Sequence, residues 1–337
     1  MVGIGALAAI ALIDVGARHV SPMPPRIMEV DDGVREYASG DPDTLVLGSS
    51  HARSFGPMRD MVLARSRGRH RVALVPVEWG TFTSYRWVFE HRVRPLLDER
   101  AAGGAPKRRR LSRAILVTTF YDLCKRPGLS EANLPARAWT FEHFMWDVAS
   151  RGIDDFNGNF LRTRVTEALP FFDLLQDRGH GRIIAGAIDA ARGVTDEVLA
   201  ERRRHAIAIA RDRMEAQFAY CDDPGHKRAF SALVDDLQAR GVEVTVVLFP
   251  LLADVVSPRS RDTTLRRYDD YIADFARRRP VRVTDMTLRA PLAFEDFQPD
   301  LDHLTPAANV RFSRWALERT MAWLFDAPTR PPARPAR

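Results

Sequence analysis

Five short strand-like runs, all but the last of them apolar and separated by stretches of helical periodicity, constrain this chain more than any other feature of it. They cover residues 44–48, 70–77, 114–119, 242–249 and 281–285. Runs of that length without strict alternation fit strands buried on both faces, the condition of a parallel sheet covered by helices. Helices are predicted over 51–67, interrupted near Gly56 and Pro57, and over 81–100, where Tyr85, Phe89, Val93 and Leu96 recur at helical spacing. Further helices are predicted over 195–220, 229–240 (closed by Gly241), 268–279 and 306–325. This alternation defines an α/β, doubly wound, mostly parallel sheet. Chemistry in such sheets collects at the carboxyl ends of the strands.

The chain has 337 residues and 45% apolar content, enough for one large α/β domain with a buried core. Its formal charge of +6 comes almost wholly from arginine, since Lys107, Lys125 and Lys227 are the only lysines. The arginines are spread along the chain, and the densest basic run, 107–110, sits in a Gly/Pro loop, so nucleic acid is not an expected partner. Cys124 and Cys221 are the only cysteines, which excludes a disulfide scaffold and a multi-cysteine zinc site and leaves open a single bond or two buried thiols.

Residues 3–13 are apolar but too few to cross a hydrocarbon core that needs ~20. They suit a signal-peptide core with Val15 and Ala17 at a cleavage-like site, the end of a signal anchor, or a buried element. The expectation is a signal peptide or anchor remnant over 1–20, one domain over 40–325 and a disordered tail over 326–337. Residues from about 125 to 225 read as an insertion after the third strand, rich in aromatics such as Trp139, Phe141, Phe144 and Trp146. These suit the core of a helical cap.

Two segments carry the chemistry. The first strand runs into Gly48-Ser49-Ser50, where a tight turn into a helix exposes a serine and aims backbone N–H groups at a ligand; a helix cap is the simpler use of such serines. Near the other end, Asp300 stands three residues before His303, a spacing that lets a carboxylate bond one imidazole nitrogen while the other faces a nucleophile. His51 reads as a solvent-facing residue at a helix start, and His180 and His226 as loop residues. None is paired with carboxylates at metal-ligand spacing, so neither metal nor cofactor is expected.

With these blocks in this order, the chain resembles the SGNH (GDSL-type) hydrolase superfamily, most closely its envelope-associated DltD-like and alginate-acetylation-related branches. The resemblance implies a flavodoxin-like three-layer α/β/α sandwich with strand order 2-1-3-4-5. It implies Ser50 as nucleophile, His303 as base and Asp300 as the carboxylate that orients it. Ser49 stands where the family usually has Asp. Gly80, in the segment 77–80, matches the oxyanion-hole glycine, with the Ser50 N–H beside it, whereas Tyr121 occupies the position of the expected Asn. The implied activity is that of an esterase or O-acyltransferase on an acylated glycan or small ester. It implies an exported or membrane-anchored enzyme, with a membrane acyltransferase as a partner.

Overall fold

The computed structural model describes residues 25–77, 80–101, 111–124 and 196–326. The signal-like segment, residues 125–195 of the expected insertion, His180 and the tail after Asp326 lie outside these residues. The chain divides into two units, Met1–Met28 with Glu131–His205 and Glu29–Ser130 with Ala206–Arg337.

The second unit holds a five-stranded sheet: β1 (Thr44–Ser49), β2 (Val72–Val77), β3 (Arg113–Thr118), β4 (Glu243–Leu248) and β5 (Arg282–Asp285). All pairings are parallel and the order is β2-β1-β3-β4-β5, the flavodoxin-like arrangement expected from the sequence. Every residue of β1, β2 and β3 is buried, which is why these strands read as unbroken apolar runs. Pro76 is tolerated because β2 lies at the sheet edge.

Helix α1 (Pro25–Gly40) precedes the sheet and was not anticipated. Its Gly33 lies so close to β2 that a Cβ would stand 2.1 Å from the Leu74 carbonyl oxygen. The predicted helix over 51–67 is instead a 3-10 turn, Ser50–Phe55, followed by α2 (Gly56–Arg65). Gly56 and Pro57 start α2, because the first turn of a helix has no use for the N–H that proline lacks. The helix over 81–100 is continuous, as α3 (Phe82–Val88), a π turn (Phe89–Val93) and α4 (Arg94–Ala101). The wide turn falls next to Pro95, which cannot donate to the preceding turn.

After β3 come α5 (Phe120–Cys124), α6 (Asp196–Ala216) and α7 (Pro224–Ala239), the last capped by the Asp223 carboxylate, which accepts the N–H groups of Gly225 and His226. Helix α8 (Arg266–Arg278) leads into β5, and α9 (Pro306–Arg319) is capped by the Thr305 hydroxyl. On one face, Phe312 of α9 meets Phe55 edge-on at 5.4 Å and Phe249 at 5.6 Å. On the other, Phe82 of α3 stacks on Phe230 of α7 at 4.1 Å, and Phe230 meets Phe275 of α8 at 4.8 Å. Among the described residues, no helix is long and apolar enough to cross a membrane.

Cys124 at the end of α5 is bonded to Cys221, ahead of α7, which resolves the two alternatives left by the sequence. The bond closes a loop with a sequence separation of 97. Removing it with Cys124→Ser and Cys221→Ser should cost about 5 kcal/mol in the chain-entropy limit, read as a lowered denaturant midpoint. Gly48 presents a separate constraint, since a Cβ there would lie 2.5 Å from the Val117 carbonyl oxygen of β3. Backbone on a paired strand cannot give way cheaply, so Gly48→Ala should lower unfolding stability by about 1–3 kcal/mol in the same measurement.

Candidate active site

Parallel pairing puts the carboxyl ends of β1, β3 and β4 side by side, and the last loop before α9 reaches the same edge. At the end of β1 the chain enters the 3-10 turn from Ser49, whose backbone is extended (φ −65°, ψ −168°), so Ser50 opens the turn. Ser50 Oγ lies 2.6 Å from Nε2 of His303, across 253 residues of sequence.

The loop that carries His303 is shaped by Asp300. One carboxylate oxygen accepts the backbone N–H groups of Asp302 and His303, each at 3.1 Å. The other lies 2.8 Å from His303 Nδ1. Leu301 sits between them at φ 57°, a left-handed conformation that turns the loop tightly enough for Asp300 and His303 to meet. The ionised Asp300 requires Nδ1 to carry the ring proton, which leaves the Nε2 lone pair to accept the hydroxyl proton of Ser50. Ser50, His303 and Asp300, the residues that the two sequence segments singled out, thus form one chain of contacts at the carboxyl edge of the sheet.

The ionisation of the site follows from its packing. Burial favours the neutral form of Asp300, but hydrogen bonds from the His303 ring and from two backbone amides outweigh it and hold this carboxyl well below the usual range. Burial pushes His303 down, and the Asp300 hydrogen bond with the charges of Asp302 and Asp300 overcomes it, so the imidazole is more basic than usual.

The oxyanion side departs from expectation. The Gly80 N–H donates to the Val77 carbonyl at 2.9 Å, closing the turn out of β2. A Cβ at this position would lie 2.7 Å from the Tyr85 ring and 2.8 Å from the Val77 oxygen, so the turn itself accounts for the glycine. Its N–H is engaged there and is not the free oxyanion donor that the resemblance implied. Tyr121, on α5 just beyond β3, stays within the site's field: burial raises its pKa, the charges of Asp302 and Asp300 add to this, and a hydrogen bond from Arg213 of α6 opposes it. The phenol therefore keeps its proton and can donate.

His51 is a second departure. It is buried at 3% exposure instead of facing solvent, because Phe249, just after β4, packs on its ring at 4.6 Å. Its Nδ1 lies 2.7 Å from Ser49 Oγ, and its Nε2 lies 3.1 Å from Asp302 Oδ1, within ion-pair reach though off the line of a good hydrogen bond. Its ring stacks on that of His303, centroids 4.9 Å apart and planes within 6°. Burial opposes ionisation of Asp302, and His51 outweighs it, keeping the carboxyl below its ordinary value. The sequence signal for this cluster was the pair of flanking residues, Ser49 beside Ser50 and Asp302 beside His303.

Donor atoms of His51, Asp302 and His303 lie within 4.8 Å of one another. The two rings are nearly parallel, so their in-plane lone pairs run side by side and do not converge on one ion, and Ser50 already holds Nε2 of His303. His226, read as a loop residue, is buried in the first turn of α7 with Nδ1 3.0 Å from Thr83 Oγ1, away from this cluster. No known protein family and no curated protein matches the sequence.

Because the Asp300 carboxylate stabilises the His303 imidazolium, Asp300→Asn should move the His303 ring titration to lower pH. Histidine-ring NMR, with the resonance assigned by its loss in His303→Gln, measures this directly.

Proposed function

We propose that this protein is a serine-dependent acyl-ester enzyme of the SGNH type, a hydrolase or O-acyltransferase acting on acyl groups of cell-envelope glycans. The observation that carries the reading is the Ser50–His303–Asp300 chain of contacts at 2.6 and 2.8 Å on the carboxyl edge of the sheet. The order of its blocks, serine after the first strand and Asp/His after the last, is the order found in that superfamily.

In this mechanism Ser50 Oγ attacks the ester carbonyl as its proton passes to His303 Nε2. The new Oγ–C bond gives a tetrahedral intermediate whose oxyanion faces the Ser50 N–H, with the Tyr121 hydroxyl as second donor. His303 returns the proton to the departing alcohol oxygen as the ester C–O bond breaks, leaving an acyl-serine. Water or a glycan hydroxyl then gives its proton to His303 and attacks the acyl carbon, which frees Ser50. Water makes the protein an esterase, and a sugar hydroxyl makes it a transferase; the same acyl-enzyme serves both.

We assign it to the exported or membrane-anchored side of the cell, working beside a membrane acyltransferase. The Cys124–Cys221 bond supports an oxidising compartment, and the apolar 3–13 segment supports export. A second reading, a catalytically silent glycan-binding or accessory protein of an acyltransferase complex, is favoured by one observation: the Gly80 N–H is taken up by the Val77 carbonyl.

A fluorophosphonate should label Ser50 covalently, and both labelling and hydrolysis of a small activated acetyl ester should fall by on the order of 10⁴- to 10⁶-fold in Ser50→Ala and His303→Ala. Peptide mass spectrometry locates the label. A wild-type protein that takes no label, or takes it equally in Ser50→Ala, sinks the enzyme reading in favour of the silent one.

A further inference from the structure

The site contains two serine–imidazole–carboxylate chains, not one. Ser49, His51 and Asp302 repeat the relation of Ser50, His303 and Asp300, with the imidazole turned end for end. Asp302 Oδ1 stands 3.1 Å from Nε2 of His51, off the line of a good hydrogen bond, and its charge favours the proton on that nitrogen, which leaves Nδ1 to accept from the Ser49 hydroxyl at 2.7 Å. All three side chains are enclosed by the fold: Ser49 is 4% exposed, His51 is 3% exposed, and Asp302 is the least covered at 22%. A buried histidine whose two nitrogens meet a hydroxyl and a carboxylate is held in one tautomer and one orientation.

The second chain touches the first in two places. The His51 ring lies face to face with His303, 4.9 Å between centroids, and a carboxylate oxygen of Asp302 stands within 4.8 Å of ring nitrogens on both histidines. His303 must become an imidazolium each time Ser50 gives up its proton. At that moment Asp302 is the second negative charge beside it, and His51 is what keeps that carboxylate in place.

We propose that Ser49, His51 and Asp302 are positioning residues for the base: Ser49 orients His51, His51 holds Asp302, and Asp302 shares with Asp300 the stabilisation of the His303 imidazolium. The assignment of His303 as base rests on the serine-enzyme reading, whereas the support of its charged form by Asp302 does not. The groups acting on His303 are Asp300 and Asp302 on its own loop and His51 and Arg53 from the turn after β1; Tyr121 of α5 sits in the field of the same two carboxylates and takes a hydrogen bond from Arg213 of α6. Arg53 works against the imidazolium and the two carboxylates work for it. Deleting one carboxylate therefore makes His303 a weaker base, and the neutral, reactive form persists to lower pH.

The test measures the rate of fluorophosphonate labelling of Ser50 against pH in the full chain, with histidine-ring NMR in parallel, for wild type, Asp302→Asn, His51→Leu, His51→Gln and Ser49→Ala. Asp302→Asn and His51→Leu should shift the acid limb of the labelling profile and the His303 titration to lower pH. Their plateau rates should fall on the order of tenfold, within the range for members of one hydrogen-bonded network. His51→Gln keeps an N–H donor near the position of Nε2 and should hold the limb close to that of wild type. Ser49→Ala, the smallest change, should shift it in the same direction by less and serves where a larger substitution fails to fold.

Rates scaled down at every pH with the limb unmoved would reduce the cluster to packing and overturn the proposal. So would label transferred to Ser49 in Ser50→Ala, which would make Ser49 a nucleophile in its own right. If wild type takes no label, the enzyme reading fails, but the NMR titration still decides the relay: a His303 shift in Asp302→Asn upholds it, and no shift refutes it.

Discussion

Strand β1 is paired on both edges, in register with β2 through Thr44↔Val72 and with β3 through Thr44↔Arg113, and the site depends on that double pairing. A strand held on both sides cannot slide without breaking two ladders at once. Its carboxyl end, Ser49, is therefore a fixed point, and the turn that follows inherits the position. Gly48 lets β3 approach closely just before that end, so the serine turn and the start of α5 with Tyr121 rise from adjacent strands. The last loop completes the site from the far end of the chain, where Asp300 folds the backbone onto its own carboxylate and Leu301 takes the left-handed turn.

The strands were legible because burial on both faces writes itself into composition. Residues of β1, β2 and β3 have no solvent side, so nothing polar interrupts the runs. Ser50, His303 and Asp300 were legible because a strand end and a three-residue Asp/His spacing are local facts, and the parallel topology then leaves them one place to meet. Helix α1 was missed for the opposite reason. It is held by contacts such as Gly33 against the β2 backbone, which no local pattern announces. The offset of α2 had a similar origin: Gly56 and Pro57 are breakers in a propensity reading but helix-starting residues once a 3-10 turn precedes them.

His51 and Gly80 show how far local reasoning reaches at a site. A histidine at the start of a helical segment faces solvent unless something distant covers it. Here Phe249 from just beyond β4 and His303 from the last loop do so, and the ring becomes buried with Ser49 and Asp302 as its polar partners. Gly80 was matched to an oxyanion donor because glycine at that point has a chemical use. The turn gives it a steric one, as a side chain would strike Tyr85 and the Val77 carbonyl, and the same turn takes up the N–H. Both outcomes were decided by residues far from the motif or by a backbone hydrogen bond, neither of which a spacing encodes.

The electrostatics of the cluster explain how a buried histidine and a half-buried one can stack on each other. Two imidazoles stacked at 4.9 Å would repel strongly if both were charged, and a stacked pair with no anion nearby would resist taking any proton at all. Two carboxylates, each held ionised by hydrogen bonds or an imidazole against the pull of burial, change the balance. They make an imidazolium at His303 favourable despite the cost of partial burial. Both rings meet a serine hydroxyl on one nitrogen and a carboxylate on the other, but Asp300 makes a hydrogen bond to His303 at 2.8 Å, whereas Asp302 stands off the line of a good hydrogen bond to His51. This asymmetry assigns different work to two chains built from the same three residue types.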